Sequence, residues 1–188
     1  MGNKLFFFTV ILFTFISGQA AVSPAFGDGS FQNPFHIESL GNLYWIAADS
    51  SNWDKYYTQM NDIDAAETYN WFEGKGWKAI GNTNIRFTGK YNGKNHTVLN
   101  LNINRPEEDL VGLFGMIEDA DIDSLKLINT NIAGHTFVGG IAAYNYVSFI
   151  TTRRKFLQFF DACRSLNFLE KIKKCTELRR SHLDRMER

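Results

Sequence analysis

Cysteine is nearly missing from this chain: of its 188 residues only Cys163 and Cys175 are cysteine, and both lie towards the C-terminus. Residues 21–147 therefore hold no disulfide. That excludes a small cross-linked scaffold and leaves burial of apolar surface to stabilise the fold. Histidine is scarce too, and His36, His96, His135 and His182 show no metal-ligand spacing to one another or to a cysteine. No metal and no cofactor is expected. Glycine disappears after Gly140. The longest apolar run, Leu5–Ile16, has 12 residues, whereas a membrane-crossing helix needs roughly 20.

Net charge is absent as well, at +0, so no basic footprint predicts a nucleic-acid partner. The zero conceals a contrast. Residues 22–147 carry 8 Lys/Arg against 15 Asp/Glu, and residues 148–188 carry 11 against 5. Such a break in sign predicts two segments with different surroundings.

What is present begins with a leader. Lys4 precedes the apolar run, and Ser17-Gly18-Gln19-Ala20 places small residues before a cleavage point after Ala20. That is the layout of a secretory signal peptide over residues 1–20, and it predicts export with no integral membrane span afterwards.

The body then alternates turn-rich and apolar stretches. Residues 26–35 are rich in Gly, Asn, Asp and Pro, as a turn-rich lead-in would be. Leu40, Leu43, Tyr44 and Ala47 follow helical spacing behind Ser39, which predicts one short helix with Ser39 as N-cap. Tyr57–Ala65 and Trp77–Ile80 are expected as strands. From Phe87 on the texture is β: Thr97–Ile103 and Asp121–Ile128 alternate apolar and polar residues, and Asn92-Gly93 marks a tight turn.

Two phrases recur. Val98-x-x-Leu101-x-Ile103 returns as Ile122-x-x-Leu125-x-Leu127. Val111-Gly112-Leu113-Phe114-Gly115 returns, at a slightly longer interval, as Val138-Gly139-Gly140-Ile141-Ala142. Intervals of this length predict a stacked repeat, each unit supplying several short strands.

On these residues the body resembles the GLUG-motif proteins. The matching series runs Gly27-Asp28-Gly29-Ser30, Asn33–Ile37, Leu40–Ile46, Asn61–Asp64, Gly76–Gly81 and Phe87–Val98, followed by Val111–Gly115 as a first unit and Val138–Asn145 as a second. It covers residues 26–146. The resemblance implies a mainly β fold, the start of a right-handed parallel β-helix-like solenoid with a short N-terminal capping helix. It also implies an exported, mostly bacterial protein acting at the cell surface, as adhesins do. Surface glycans or proteins of a host or neighbouring cell are the partners it implies. Some relatives of that kind adjoin surface peptidases, and no peptidase motif is visible here.

The expected layout is thus a signal peptide at 1–20, a solenoid domain at 21–147 and a basic helical tail at 148–188. At the interval of the second recurrence, Ile122, Leu125 and Leu127 should return at 149, 152 and 154, where the chain has Phe149, Thr152 and Arg154. Phe156, Phe159, Phe160, Cys163, Leu166, Leu169, Ile172 and Cys175 follow one helical stripe instead. Three readings stay open: a truncated or frameshifted continuation, a helical cap over the open end, and a basic amphipathic segment for an acidic surface.

Little chemistry stands out. Asp119, Asp121 and Asp123 alternate, so one strand would point all three the same way, either as a Ca²⁺ site or as a solvated face. Asp62 and Asp64 repeat the pattern. A carboxylate pair for glycoside hydrolysis would need a groove and a raised pKa. The aromatic-rich third, Tyr44 to Trp77, would pack the helix or stack on sugars. Asn95-His96-Thr97 is a formal glycosylation sequon, without weight in a bacterial protein. The leading expectation is a non-enzymatic surface protein of adhesion or recognition. The alternatives are a carbohydrate-active enzyme and a remnant without independent function.

Overall fold

The structure, a computed structural model, describes residues 19–151. The expected signal peptide and nearly all of the expected helical tail lie outside the described residues. Within them the fold is mainly β, with one α-helix.

That helix, α1 (Leu40–Ala48), starts where its cap predicts: the Ser39 hydroxyl accepts the Asn42 backbone N–H at 3.2 Å. Its buried face is Asn42, Leu43, Ile46 and Ala47. Ser39→Ala is expected to cost about 0.5–2 kcal/mol in a urea melt, as loss of an N-cap usually does. A 3₁₀ turn, Ser50–Asn52, follows it.

Twelve short strands build four sheets: β1 (Phe35–Ile37), β2 (Tyr56–Gln59), β3 (Ile63–Asp64), β4 (Lys90–Asn92), β5 (Thr97–Leu99), β6 (Asn102–Arg105), β7 (Phe114–Glu118), β8 (Asp121–Asp123), β9 (Lys126–Ile128), β10 (Asn131–Gly134), β11 (Ala142–Tyr146) and β12 (Phe149–Thr151). One sheet runs β1-β2-β4-β8-β12, another β3-β5-β9, and two pairs are β6-β10 and β7-β11. Every strand pair is parallel. Most consecutive strands thus belong to different sheets, and each sheet collects its strands from successive passes of the chain.

The registers correct two sequence expectations. Val98 pairs with Leu127 and Ile103 with Ile132, while Ile122 pairs with Tyr91 in a different sheet. The Val98 and Ile122 phrases therefore share apolar spacing on two different sheets, and their interval is not the structural period. The other recurrence holds at its start, where Val111 bridges Val138. It slips by one position further on, since Phe114 pairs with Ala142 and not with Ile141.

Asn92-Gly93 is not a hairpin turn. Its flanking strands β4 and β5 never pair, and the positive φ values fall just beyond it, at Lys94 (46°) and Asn95 (67°), closed by His96 N–H to Gly93 C=O at 2.7 Å. Gly93 is needed for a different reason: a Cβ there would come within 2.6 Å of the Leu125 and Ser124 backbone. The turn is a corner between sheets. Asn100, Ser124 and Asn129, all at positive φ, make similar one-residue corners. Short polar side chains such as these can bond locally, which eases the conformation. Trp77–Ile80, expected as a strand, forms none and carries only isolated bridges at Gly76 and Ile80. Phe149–Thr151, within the span expected as tail, continues the largest sheet, with Ile150 opposite Ile122.

The core follows from the registers. Phe35, Tyr57, Tyr91, Ile122 and Ile150 form one inward row. Phe87 packs against Phe114 at 4.8 Å between ring centroids, and Trp77 against Trp71 at 6.0 Å. Two polar side chains, Gln59 and Thr68, are fully buried among them. Gln59 is satisfied by the Tyr91 hydroxyl and by the Asn61 and Thr97 carbonyls. The Thr68 hydroxyl donates to Ala65 C=O and accepts the Asn102 N–H.

Candidate functional site

The loop after Gly81 forms one wall of an open groove. Asn82 holds it, its side-chain oxygen accepting the N–H groups of Asn84 and Ile85. Phe87 anchors it in the core. Opposite lie the 3₁₀ turn, whose Ser51 N–H is capped by Asp49, and Trp53, whose indole N–H donates to Ile46 C=O at 2.7 Å. Between them run two adjoining hollows of about 370 and 520 Å³ that share Ser50, Trp53, Asn84 and Ile85. One end is closed by Arg86, paired to Glu118 at 2.8 Å. At the other, Arg105 is buried and fully used. It donates to the Trp77 and Gly76 carbonyls, pairs with Glu108 at 2.8 Å and lies over the Phe72 ring. Ser50, Ser51, Asn82, Thr83, Asn84 and Thr88 supply hydroxyl and amide groups to a lining that is otherwise apolar or charged.

The aromatic-rich third is mostly interior. Tyr57, Trp71 and Trp77 are buried, and Tyr44 packs on both tryptophans. Tyr69 remains exposed.

The acidic candidates divide. Asp121 and Asp123 share the outer face of β8, opposite Lys90 and Asn92 on β4. Asp119 sits in the preceding corner at φ 48° and does not join them. No cluster of three metal-ligating side chains forms among the described residues. Partial desolvation raises the Asp121 carboxyl, with Asp123 adding to the shift and Lys90 opposing it.

Asp62 and Asp64 are lowered instead. Asp62 accepts the Thr97 N–H at 2.8 Å, and His96 Nδ1 lies 3.2 Å from the same oxygen. Asp64 accepts the Asn100 side-chain amide and the Ala66 N–H. Asn100 in turn receives the Asn129 amide at 2.5 Å, so one polar chain crosses three passes.

Sequence reasoning missed a second recurrence. Asp109 accepts the N–H and hydroxyl of Thr136, with His135 Nδ1 at 3.0 Å, much the arrangement of Asp62 with His96-Thr97. The signal was a repeated His-Thr dipeptide. Hydrogen bonds lower both carboxyls, from the Thr97 N–H first at Asp62 and from the Thr136 side chain first at Asp109. A depressed folded-state pKa adds stability that is complete above the unfolded value near 3.8 and is lost as pH falls through the folded value. Asp62→Asn and Asp109→Asn are expected to lower the urea midpoint at neutral pH, with the deficit closing below pH ~3.8. Asp121→Asn should do the reverse, raising the neutral-pH midpoint slightly.

No protein-family model matches the chain, and no solved structure matches it. A halomucin of Haloquadratum walsbyi is 34% identical over 131 residues, 66% of this chain and 1% of that protein. A Gly-rich membrane protein of Evansella cellulosilytica is 33% identical over 135 residues, 69% of this chain and 15% of that protein. The chain spans only a small part of the length of these relatives.

Proposed function

We propose that this chain is part of an exported, right-handed β-solenoid of the GLUG-motif kind, working at a cell surface by recognition and not by catalysis. The observation that carries the proposal is the inward row Phe35, Tyr57, Tyr91, Ile122 and Ile150: five strands in parallel register, each laid on the one before. Stacking of this kind builds an extended flank suited to display. The two similar proteins support the setting, since one is a halomucin and the other a membrane protein. The signal-peptide pattern read in residues 1–20 supports export, and the groove beside Trp53 is the surface offered to a glycan.

The carboxylate-pair enzyme has less behind it. A general acid needs a raised pKa, yet Asp62 and Asp64 are both lowered. Asp121 is raised, but neither Asp121 nor Asp123 lines the groove. The test is incubation of the full chain with a panel of cell-surface polysaccharides. Retention of the chain without new reducing ends is expected. Reducing ends that vanish in Asp121→Asn would favour the enzyme, and failure to bind any polysaccharide or intact cell would sink recognition.

A further inference from the structure

The last described pass, residues 126–151, is covered less well than the passes before it. Val98 is buried but its partner Leu127 only half-buried, and the same loss separates Ile103 from Ile132 and Ile122 from Ile150. Val111 is 2% exposed and its bridge partner Val138 39%. Among the described residues, strands β9 to β12 each pair on one side only, so four edges end the ladders together. Phe137, Val147 and Phe149 are half or more exposed there.

Beside this apolar end runs the most acidic stretch of the chain. Residues 106–125 hold seven carboxylates and no Lys or Arg, and of the seven Glu108 and Glu118 are already paired with Arg105 and Arg86. The segment that follows the described body, 152–188, carries 11 Lys/Arg against 5 Asp/Glu, with Phe156, Phe159, Phe160, Leu166, Leu169 and Ile172 interspersed. It is longer than the step from β8 to β12, so its reach matches a full circuit of the end.

We propose that the end formed by β9–β12 is the docking surface for residues 152–188 of the same chain. The apolar side chains of that segment cover the incompletely buried rows, and its cations meet the acidic collar. A second copy docking end to end would oppose two acidic collars, and like charges facing one another disfavour that contact.

The cysteines make a test simple, because both lie in the segment and none in the body. Nitroxide labels on Cys163 and Cys175 of the full chain should broaden the amide resonances of Ile128–Ile150 and spare those of α1. The effect should be independent of protein concentration and shrink at high salt. Broadening that is absent or centred elsewhere overturns the proposal, and broadening that grows with concentration overturns it by assigning the end to a second copy. Phe159→Asp with Phe160→Asp should abolish the effect. As a check that does not depend on that variant folding, Val147→Cys in the full chain should oxidise intramolecularly with Cys163 or Cys175, which requires Cα atoms within about 7 Å. Persistence of all three free thiols counts against docking.

Discussion

Trp77→Ala is expected to cost about 3–5 kcal/mol, a large share of the roughly 5–15 kcal/mol that holds a domain of this size. Trp77 is fully buried, stacks on Trp71 and meets Tyr44 edge-on. Its indole N–H donates to the Leu113 carbonyl at 3.1 Å, so one side chain joins the helix, the segment at Trp71 and a later pass. Truncation removes the ring contacts, leaves a cavity and takes away one of the two hydrogen bonds that the Leu113 carbonyl accepts, the other coming from the Ile80 N–H. The measurement is a urea melt followed by near-ultraviolet circular dichroism. Trp77→Phe separates the contributions: it keeps most of the packing and should lose about 1–2 kcal/mol. A midpoint for the alanine variant within error of the parent would mean that the aromatic cluster does not hold the passes together.

The second large effect is at Gly81. Gly81 and Gly74 share φ +84°, a conformation costly to any residue with a Cβ. They differ in surroundings. A Cβ on Gly74 meets nothing within 4 Å, whereas one on Gly81 would lie 2.2 Å from the Met116 carbonyl oxygen and 2.9 Å from Phe87 N. That oxygen accepts the Phe87 N–H, so the clash falls on the bond that seats Phe87 in the core. Gly74→Ala should cost about 1 kcal/mol, the backbone term alone. Gly81→Ala should exceed about 3 kcal/mol or fail to fold. The difference between the two midpoints isolates the close approach. Equal losses would show that the loop at Gly81 moves aside freely.

How much of this was legible in the sequence depends on whether a signal was local. Ser39 before Leu40 was readable because an N-cap acts within one turn. The Val111 and Val138 phrases were readable because both belong to the same row. The Val98 and Ile122 phrases misled because apolar-x-x-apolar-x-apolar describes any corner between two inward-facing strands, and nothing in the spacing tells which sheet is meant. Asn92-Gly93 misled in a similar way: Gly93 answers to the backbone of Leu125, a residue far along the chain. The spacing of Asp119 to the other two aspartates was read as strand alternation, but positive φ at Asp119 ends the alternation before β8 begins. The groove beside Trp53 was invisible, since it joins residues near 50 to residues near 84 and 118. The His-Thr pairs were visible as letters, but their meaning lay in Asp62 and Asp109 on the preceding passes.

The parallel registers also bear on how such a chain acquires its structure. In the largest sheet the pairings step forward one strand at a time, Phe35 to Tyr57, Tyr57 to Tyr91, Tyr91 to Ile122 and Ile122 to Ile150. In these ladders each strand waits only for a neighbouring pass. Loop-closure entropy grows with the logarithm of length, so stretching a pass by a quarter costs only about 0.2 kcal/mol. Extra residues can therefore accumulate at a corner, as they do around Asn82–Arg86, without disturbing the ladder. A chain that emerges amino end first can form pass by pass, each finished layer serving as template for the next.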